Sequence, residues 1–375
     1  MIILNVTITK ELLFKAVIIQ LFYRSSKNKD RRPNNPNLKI MKTVASFASS
    51  FFIEAQNNLW ACGNNSKNQL AYSTASSQYL PIKVLDNVTK VASGEYHTLI
   101  LKIDNTLWVV GDNGNGQLGT GNTSSINQAQ KLADNIIEIA TGKDYSFFIK
   151  SDNTLWAMGN NTFGQLGNGN TDKQLSPVKI MEDVKAAEAA TAHTSILKTD
   201  GTLWTCGRNS SYELGDGTDA NKSNPVKIAT NVEQMSLGNQ FSLFLKSNGS
   251  LWGVGFDGAG QLGDNSVYTV HNPKQILSDV KSVSAGYGFS MALKNDGTVW
   301  VAGINEAGQL GTGDNINKGI FHQVAEKVTQ ISAGSYHTLI IKNDGSVWTS
   351  GSNGSGQLGT GKGISDRNTF QQVRF

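Results

Sequence analysis

All seven tryptophans of the chain, Trp60, Trp108, Trp156, Trp204, Trp252, Trp300 and Trp348, stand 48 residues apart. A fixed period of this length marks a repeated supersecondary unit. It overrides the two or three domains that a length of 375 residues would otherwise suggest. One such unit cannot bury its apolar faces alone, so neighbours must stack on one another. Seven units fill the chain from Met41 onward. The domain reading is therefore an N-terminal extension over residues 1–40 and a repeat domain over 41–375.

The local code inside a unit is β throughout. In the second unit, "VASGEYHTLILKIDNTLWVVGDNGNGQLG", His97 to Lys102 is an apolar run and Leu107 to Val110 returns. Between them lies Asp104-Asn105, and the same place holds Asp200-Gly201, Asn248-Gly249, Asp296-Gly297 and Asp344-Gly345. Such pairs tolerate positive φ at both positions of a two-residue hairpin turn. A third strand carries the Pro-Val-Lys-Ile type of sequence, and a fourth is rich in Ala, Ser and Gly. Small residues suit a crowded position next to an axis. No unit has a helical period. Four short strands repeated seven times predict an all-β fold, a seven-bladed β-propeller of 48-residue repeats. The last strand, Phe370 to Val373, has no following unit. It is expected to complete the first blade, whose start lacks the usual glycine, and so to close the ring.

Gly114-Asn115-Gly116-Gln117-Leu118-Gly119 spells the glycine fingerprint of a dinucleotide site, and the letters recur at Gly258 and Gly354. The fingerprint carries that chemistry only between a strand and a helix. Thr120 to Ser125 has no helical spacing, so the glycines read as turn formers and no nucleotide or other cofactor is expected. The Leu is read as an anchor buried between blades.

These units resemble those of the regulator of chromosome condensation repeat family, which forms seven-bladed β-propellers. The resemblance rests on "GEYHT" and "GSYHT", on "LWVVG" and "LWAMG", and on the Gly-Gln-Leu-Gly loops, and covers residues 41–375. Its members include exchange factors for small GTPases, an ultraviolet photoreceptor and β-lactamase inhibitors, so the resemblance implies a fold and leaves function open. The photoreceptor's Gly-Trp-Arg-His-Thr motifs are absent. The even spacing leaves no room for the wedge insertion of the chromatin-bound exchange factor.

Charge divides the chain. Residues 1–42 carry nine Lys and Arg against Glu11 and Asp30, whereas the rest is slightly acidic. A nucleic-acid reader should be basic over one face, so no nucleic-acid partner is expected. Residues 1–24 are apolar but interrupted by Lys10, Glu11 and Lys15, and are followed by a polar linker. They are too broken for a membrane span, and contact with a membrane surface stays open. Two cysteines, Cys62 and Cys206, occupy equivalent places in non-adjacent units and cannot pair. Unpaired thiols point toward the cytoplasm, while secretion and membrane association stay open.

His97, His193 and His337 share one repeat position, which Tyr145, Phe241 and Phe289 fill elsewhere. A place that accepts Phe is a packing place, and no metal site is expected. No nucleophile motif or recurring acid pair is present, so the chain reads as non-enzymatic. What varies is the loop face bearing the Gly-x-x-His turns: Phe47, Glu95, Tyr96, Lys143, Asp144, Asn239, Gln240, Tyr287 and Tyr336. The long loops add Phe163, Tyr212 and Phe256. Aromatics among polar groups are the composition of interface hot spots. The expectation is a monomeric propeller that binds a protein partner there. The alternative, implied by the family resemblance, is an exchange factor whose Glu95, Asp144 and histidines engage a small GTPase.

Overall fold

A computed structural model describes residues 38–363 and 365–375. The segment 1–37, and with it the membrane-surface reading, lies outside the described residues. Within them, 28 strands form seven four-stranded antiparallel sheets arranged as the blades of a propeller. Each blade is continuous in sequence, from 40–85 for the first to 328–372 for the last. The inner strands (Ile40–Ala45, Val88–Ser93, Ile136–Thr141, Val184–Ala189, Val232–Leu237, Val280–Ala285, Val328–Ala333) carry the small residues and surround the axis.

The second strand of each blade begins at the His position and is buried on both faces, as in Tyr145–Lys150. A strand covered by blades on either side reads as a continuous apolar run instead of alternating. The apolar clusters accordingly form between blades: Leu99, Leu107 and Leu118 of the second blade meet Ile139, Phe148 and Met158 of the third, with Trp156 packed at the margin.

The C-terminal strand does not complete the first blade. Arg367–Gln372 pairs with Val347–Gly351 inside the seventh blade, with Trp348 opposite Gln372. The first blade has its own inner strand, Ile40–Ala45. The missing motif concealed it: Ser46 stands where Gly94 stands one blade later, and Ser49 where His97 stands. At Gly94 a Cβ would lie 2.3 Å from the His97 ring, although Ala190 holds the same place before His193.

Closure therefore comes from a blade joint. Ala45 N–H donates to Ser332 Oγ at 2.9 Å, and the Gln330 amide both accepts from Thr43 N–H and donates to Thr43 O. The internal joint between Gln234 and Val283, with Ser236 beside Ala285, is built the same way. At the closing joint alone, the Phe375 ring adds edge-on contacts to Phe52 and Trp60.

The hairpin turns also differ from expectation. Only their second residue has positive φ, as at Asn105, Asn153 and Gly201, and the turn is longer than two residues. The Asp shapes it instead: Asp104 Oδ1 accepts from both the N–H and the hydroxyl of Thr106, and that hydroxyl accepts the Trp108 indole N–H at 2.8 Å. Lys102 lies over the Trp108 ring. In the first blade Asn58 replaces the Thr, and the buried Trp60 N–H finds no partner among the described residues.

The buried histidines are clasps between blades. His97 Nε2 meets Ser146 Oγ at 2.9 Å, and that hydroxyl donates its proton to Gln117 O. The hydroxyl proton being committed, the ring must donate, which assigns the neutral Nε2–H tautomer. His193 with Ser242 and His337 with Ser50 repeat the arrangement, as Tyr145 does through its hydroxyl to His193 O. Burial pushes His97 and His337 down to about 4 and His193 to about 3.

Candidate functional site

The fingerprint loops are occupied by their own hydrogen bonds. Leu118 N–H donates to Asn113 Oδ1, Asn115 N–H to Gln117 Oε1, and Gly119 N–H to Gly116 O. Amides that could cradle a phosphate are thus already paired. Gly116 has φ +80°, and a Cβ there would sit 2.8 Å from Leu175 Cα of the next blade. The glycine allows the loop to lie against its neighbour, while the loop leucines, Leu70 to Leu358, are wholly buried.

One loop departs from this scheme. In the first four blades and the sixth an Asn amide nitrogen spans the loop, as Asn113 does to Thr120 Oγ1, Asn122 O and Ser124 O. Asp257 replaces it in the fifth blade, where a carboxylate has no proton to offer. Burial pushes Asp257 up to about 7, and the neighbouring Asp264 adds to the shift. Lys274 in turn holds Asp264 at 2.8 Å.

The Gly-x-x-His turns form a rim around the axis, and backbone bonds tie it together from blade to blade. Glu95 N–H donates to Lys143 O, Lys143 N–H to Ala190 O, Asn239 N–H to Tyr287 O, Tyr287 N–H to Ser335 O, and Ser335 N–H to Ser46 O. Side chains on this rim are therefore carried by a fixed scaffold. Phe47, Asn239 and Tyr287 line the mouth of the axial channel. Tyr287 stacks on Tyr336 of the next blade with ring centres 5.5 Å apart, and the two remain 38% and 41% exposed.

Tyr96 is not part of that aromatic group. It stands on the second blade beside Glu95, whose charge raises the phenol's pKa. Glu95 pairs with Lys143 at 3.3 Å. Asp144 binds loops together by accepting from Asn115 Nδ2 and Asn160 Nδ2, and burial raises its pKa. Gln240 contributes its carbonyl to Phe256 N–H. The nine residues named from sequence thus divide into an aromatic sector over the sixth, seventh and first blades and a charged sector over the second and third, with Asn239 and Gln240 between.

One residue of this face, Arg208, was not singled out from sequence, and Tyr212, named there among the long loops, has a partner that the sequence did not show. Arg208 pairs with the fully buried Glu213 at 2.7 Å and reaches Asn239 O at 2.6 Å, so the divergent fourth unit braces the rim. Tyr212 takes a glycine's place at φ +62° and stacks on His271 at 3.8 Å. The signal was the pair of exchanges at Tyr212 and Glu213 in the Gly-Gln-Leu-Gly loop.

The opposite face carries the hairpin turns with their Asp, Asn and Gly residues. It exposes Met41, Ile103 and Ile137 as well, because the second residue of an inner strand and the first of a turn point outward there. They are separate aliphatics, with no aromatic among them.

The three histidines are each enclosed in their own blade joint, and among the described residues no three His, Cys, Asp or Glu side chains converge as metal ligands do. Cys62 and Cys206 are buried and unpaired, and burial pushes the Cys206 thiol up to about 12. Both are packing residues, unreactive as nucleophiles.

Models of the regulator of chromosome condensation (RCC1) repeat match residues 56–101, 152–197, 200–245, 248–293 and 296–341, and a second model of the same repeat matches 88–117, 136–165, 280–309 and 328–357. No individually curated protein matches the sequence. Among solved structures, human WBSCR16 is 22% identical with a TM-score of 0.73, covering 80% of this chain and 86% of its own. Prp20p of Saccharomyces cerevisiae, described with its binding properties to Gsp1p and histones, is 18% identical with a TM-score of 0.76. That alignment covers 91% of this chain and 88% of Prp20p. At such identities the likeness concerns the fold.

Proposed function

The chain belongs to the regulator of chromosome condensation (RCC1) repeat family, and from that premise we propose that it is a non-catalytic interaction propeller binding a protein partner through its Gly-x-x-His face. The observation that carries this reading is the exposed Tyr287–Tyr336 stack beside Phe47, mounted on a rim of blade-to-blade backbone bonds. Large aromatics that are already ordered lose little freedom on binding and bury much area, which is what concentrates affinity at hot spots. The neighbouring Glu95–Lys143 pair supplies polar specificity at the edge of the same face.

An exchange factor for a small GTPase is the second reading, favoured by the fold likeness to yeast RCC1 (Prp20). Against it, His97, His193 and His337 are wholly buried and cannot touch a partner, and Asp144 is committed to two loop amides. Glu95 alone of the proposed group stays at hand, and it is paired with Lys143. A nucleotide-release assay over a panel of small GTPases separates the two readings. The expected result is release no faster than in buffer. Acceleration of any one GTPase by the propeller would favour the exchange reading instead.

A further inference from the structure

The inner strands enclose an axial cavity of about 400 Å³. At its middle level, the fifth residue of each inner strand faces the axis: Val44, Ala92, Ala140, Glu188, Ser236, Ser284 and Ser332. The three serines are used structurally, since each accepts an N–H from the adjoining blade. Glu188 is not. Its carboxylate makes no hydrogen bond or ion pair with any described residue.

Nearby charges do not neutralise it. Lys90, two residues earlier in its strand's register, is held by Glu138 in an ion pair. Lys42, at the same register, is turned to Thr89 O. Glu233, which also lines the cavity, adds negative charge toward the turn face. Glu188 is thus an unpartnered carboxylate on the channel wall, open to solvent within the channel, and desolvation by the surrounding walls pushes it up to about 7. A structural role would have been served by Ala, as in Ala92 and Ala140.

We propose that the axial channel binds a small alkylamine, whose primary ammonium group pairs with Glu188 while its methylenes lie against Ala92 and Ala140. A hard metal ion would need six or more oxygens, and the middle level offers one carboxylate among alkyl and hydroxyl groups. A guanidinium has five fixed donors, more than one carboxylate can accept, whereas an ammonium has three that rotate. The amine is a free molecule and not a partner's lysine. Glu188 lies within the inner strand Val184–Ala189, on the channel wall below the rim turn at Ala190 and Thr191.

The test is calorimetric titration of the intact protein with 1,4-diaminobutane at pH 8 and physiological salt, using wild type, Glu188→Gln and Glu233→Gln. Unchanged circular dichroism and a melting temperature no lower than that of the wild type serve as the folding check, and the unbonded carboxylate makes Gln an easy replacement. The expected result is saturable one-to-one binding that weakens at least tenfold in Glu188→Gln and persists in Glu233→Gln. At pH 6 binding should also release protons, read as a dependence of the heat on the buffer's ionisation enthalpy. No saturable binding to wild type, equal binding to Glu188→Gln, or equal loss in both variants would overturn the proposal.

Discussion

Removing residues 367–375 is expected to lower the melting temperature by about 10 °C or more and to promote self-association. The deletion takes the outer strand of the seventh blade and leaves the edge of Val347–Gly351 unpaired, an invitation to edge-to-edge pairing. It also takes Val373, which is 2% exposed, and Phe375 from the cluster they share with Phe52, Cys62 and Leu339. Burial of each such side chain contributes about 1.5–3 kcal/mol. In a protein of this size each kcal/mol corresponds to roughly 2 °C, so several side chains and a strand's hydrogen bonds together reach the stated fall. Removing only Arg374 and Phe375 should give a smaller loss confined to the closing joint. An unchanged melting curve with a monomeric sizing profile after the longer deletion would show that neither strand nor joint contributes to holding the ring.

Acid should weaken the blade joints through the histidine clasps. For His97, His193 and His337 the folded pKa, at about 4 or 3, lies below the unfolded value near 6.5. A depressed folded pKa means the unfolded chain binds more protons, so the contribution is full above pH 6.5 and is lost as pH falls toward 4. A tenfold difference in proton affinity between the two states corresponds to about 1.4 kcal/mol, so three clasps together are worth on the order of several kcal/mol across that window. Glu188 and Asp257 act in the opposite sense, since their raised values, both about 7, favour the folded state as pH falls through 7. The wild-type profile is the difference of the two.

The repeat supplies the variant that isolates the histidines, because Phe241 and Phe289 fill the same position. Replacing His97 and His337, which follow a glycine as Phe241 and Phe289 do, with Phe should leave a folded protein at pH 7, whereas His193 follows Ala190 and is left in place. Its melting temperature should fall clearly less than that of the wild type between pH 7 and pH 4.5, or rise. Equal falls in the two proteins would mean these two histidines are not the acid-sensitive groups.

Much of this architecture was legible because the repeat is in phase. Seven tryptophans at one spacing fix the blade count, and the small residues of the inner strands fix which edge meets the axis. The assignment of the last strand was not legible. The repeat pattern leads one to seek Gly and His at Ser46 and Ser49, and the first blade carries neither, much as Ala190 replaces the glycine before His193 in the fourth. The turn type was also misread, since Asp-Gly and Asp-Asn suggest two positive φ values while the Asp side chain supplies the turn by bonding Thr106 and its equivalents.

Of the varied face, residue types could be read but not grouping. Nothing in the spacing says that Tyr287 stacks on Tyr336 while Tyr96 stands apart on the second blade with Glu95. The exposed Ile103 and Ile137 escaped notice because each stands singly in a polar context. Glu188 was visible as one acid in a column of Ala, Val and Ser, and it becomes informative once that column is known to face a channel.

The central claim, that the Gly-x-x-His face is the one that binds, is tested most directly by comparing two face variants in affinity capture with mass spectrometry. One changes Tyr96, Tyr287 and Tyr336 to Ala; the other changes Asp296 and Asp344 to Ser on the turn face. Truncating a buried interface Tyr costs about 2 kcal/mol or more, and none of the three contributes to the Leu or Trp packing layers, so the first variant should fold normally. It is expected to lose the partner that the wild type captures, while the turn-face variant keeps it. Retention by the Tyr variant together with loss by the turn-face variant would contradict the account and move the site to the opposite face.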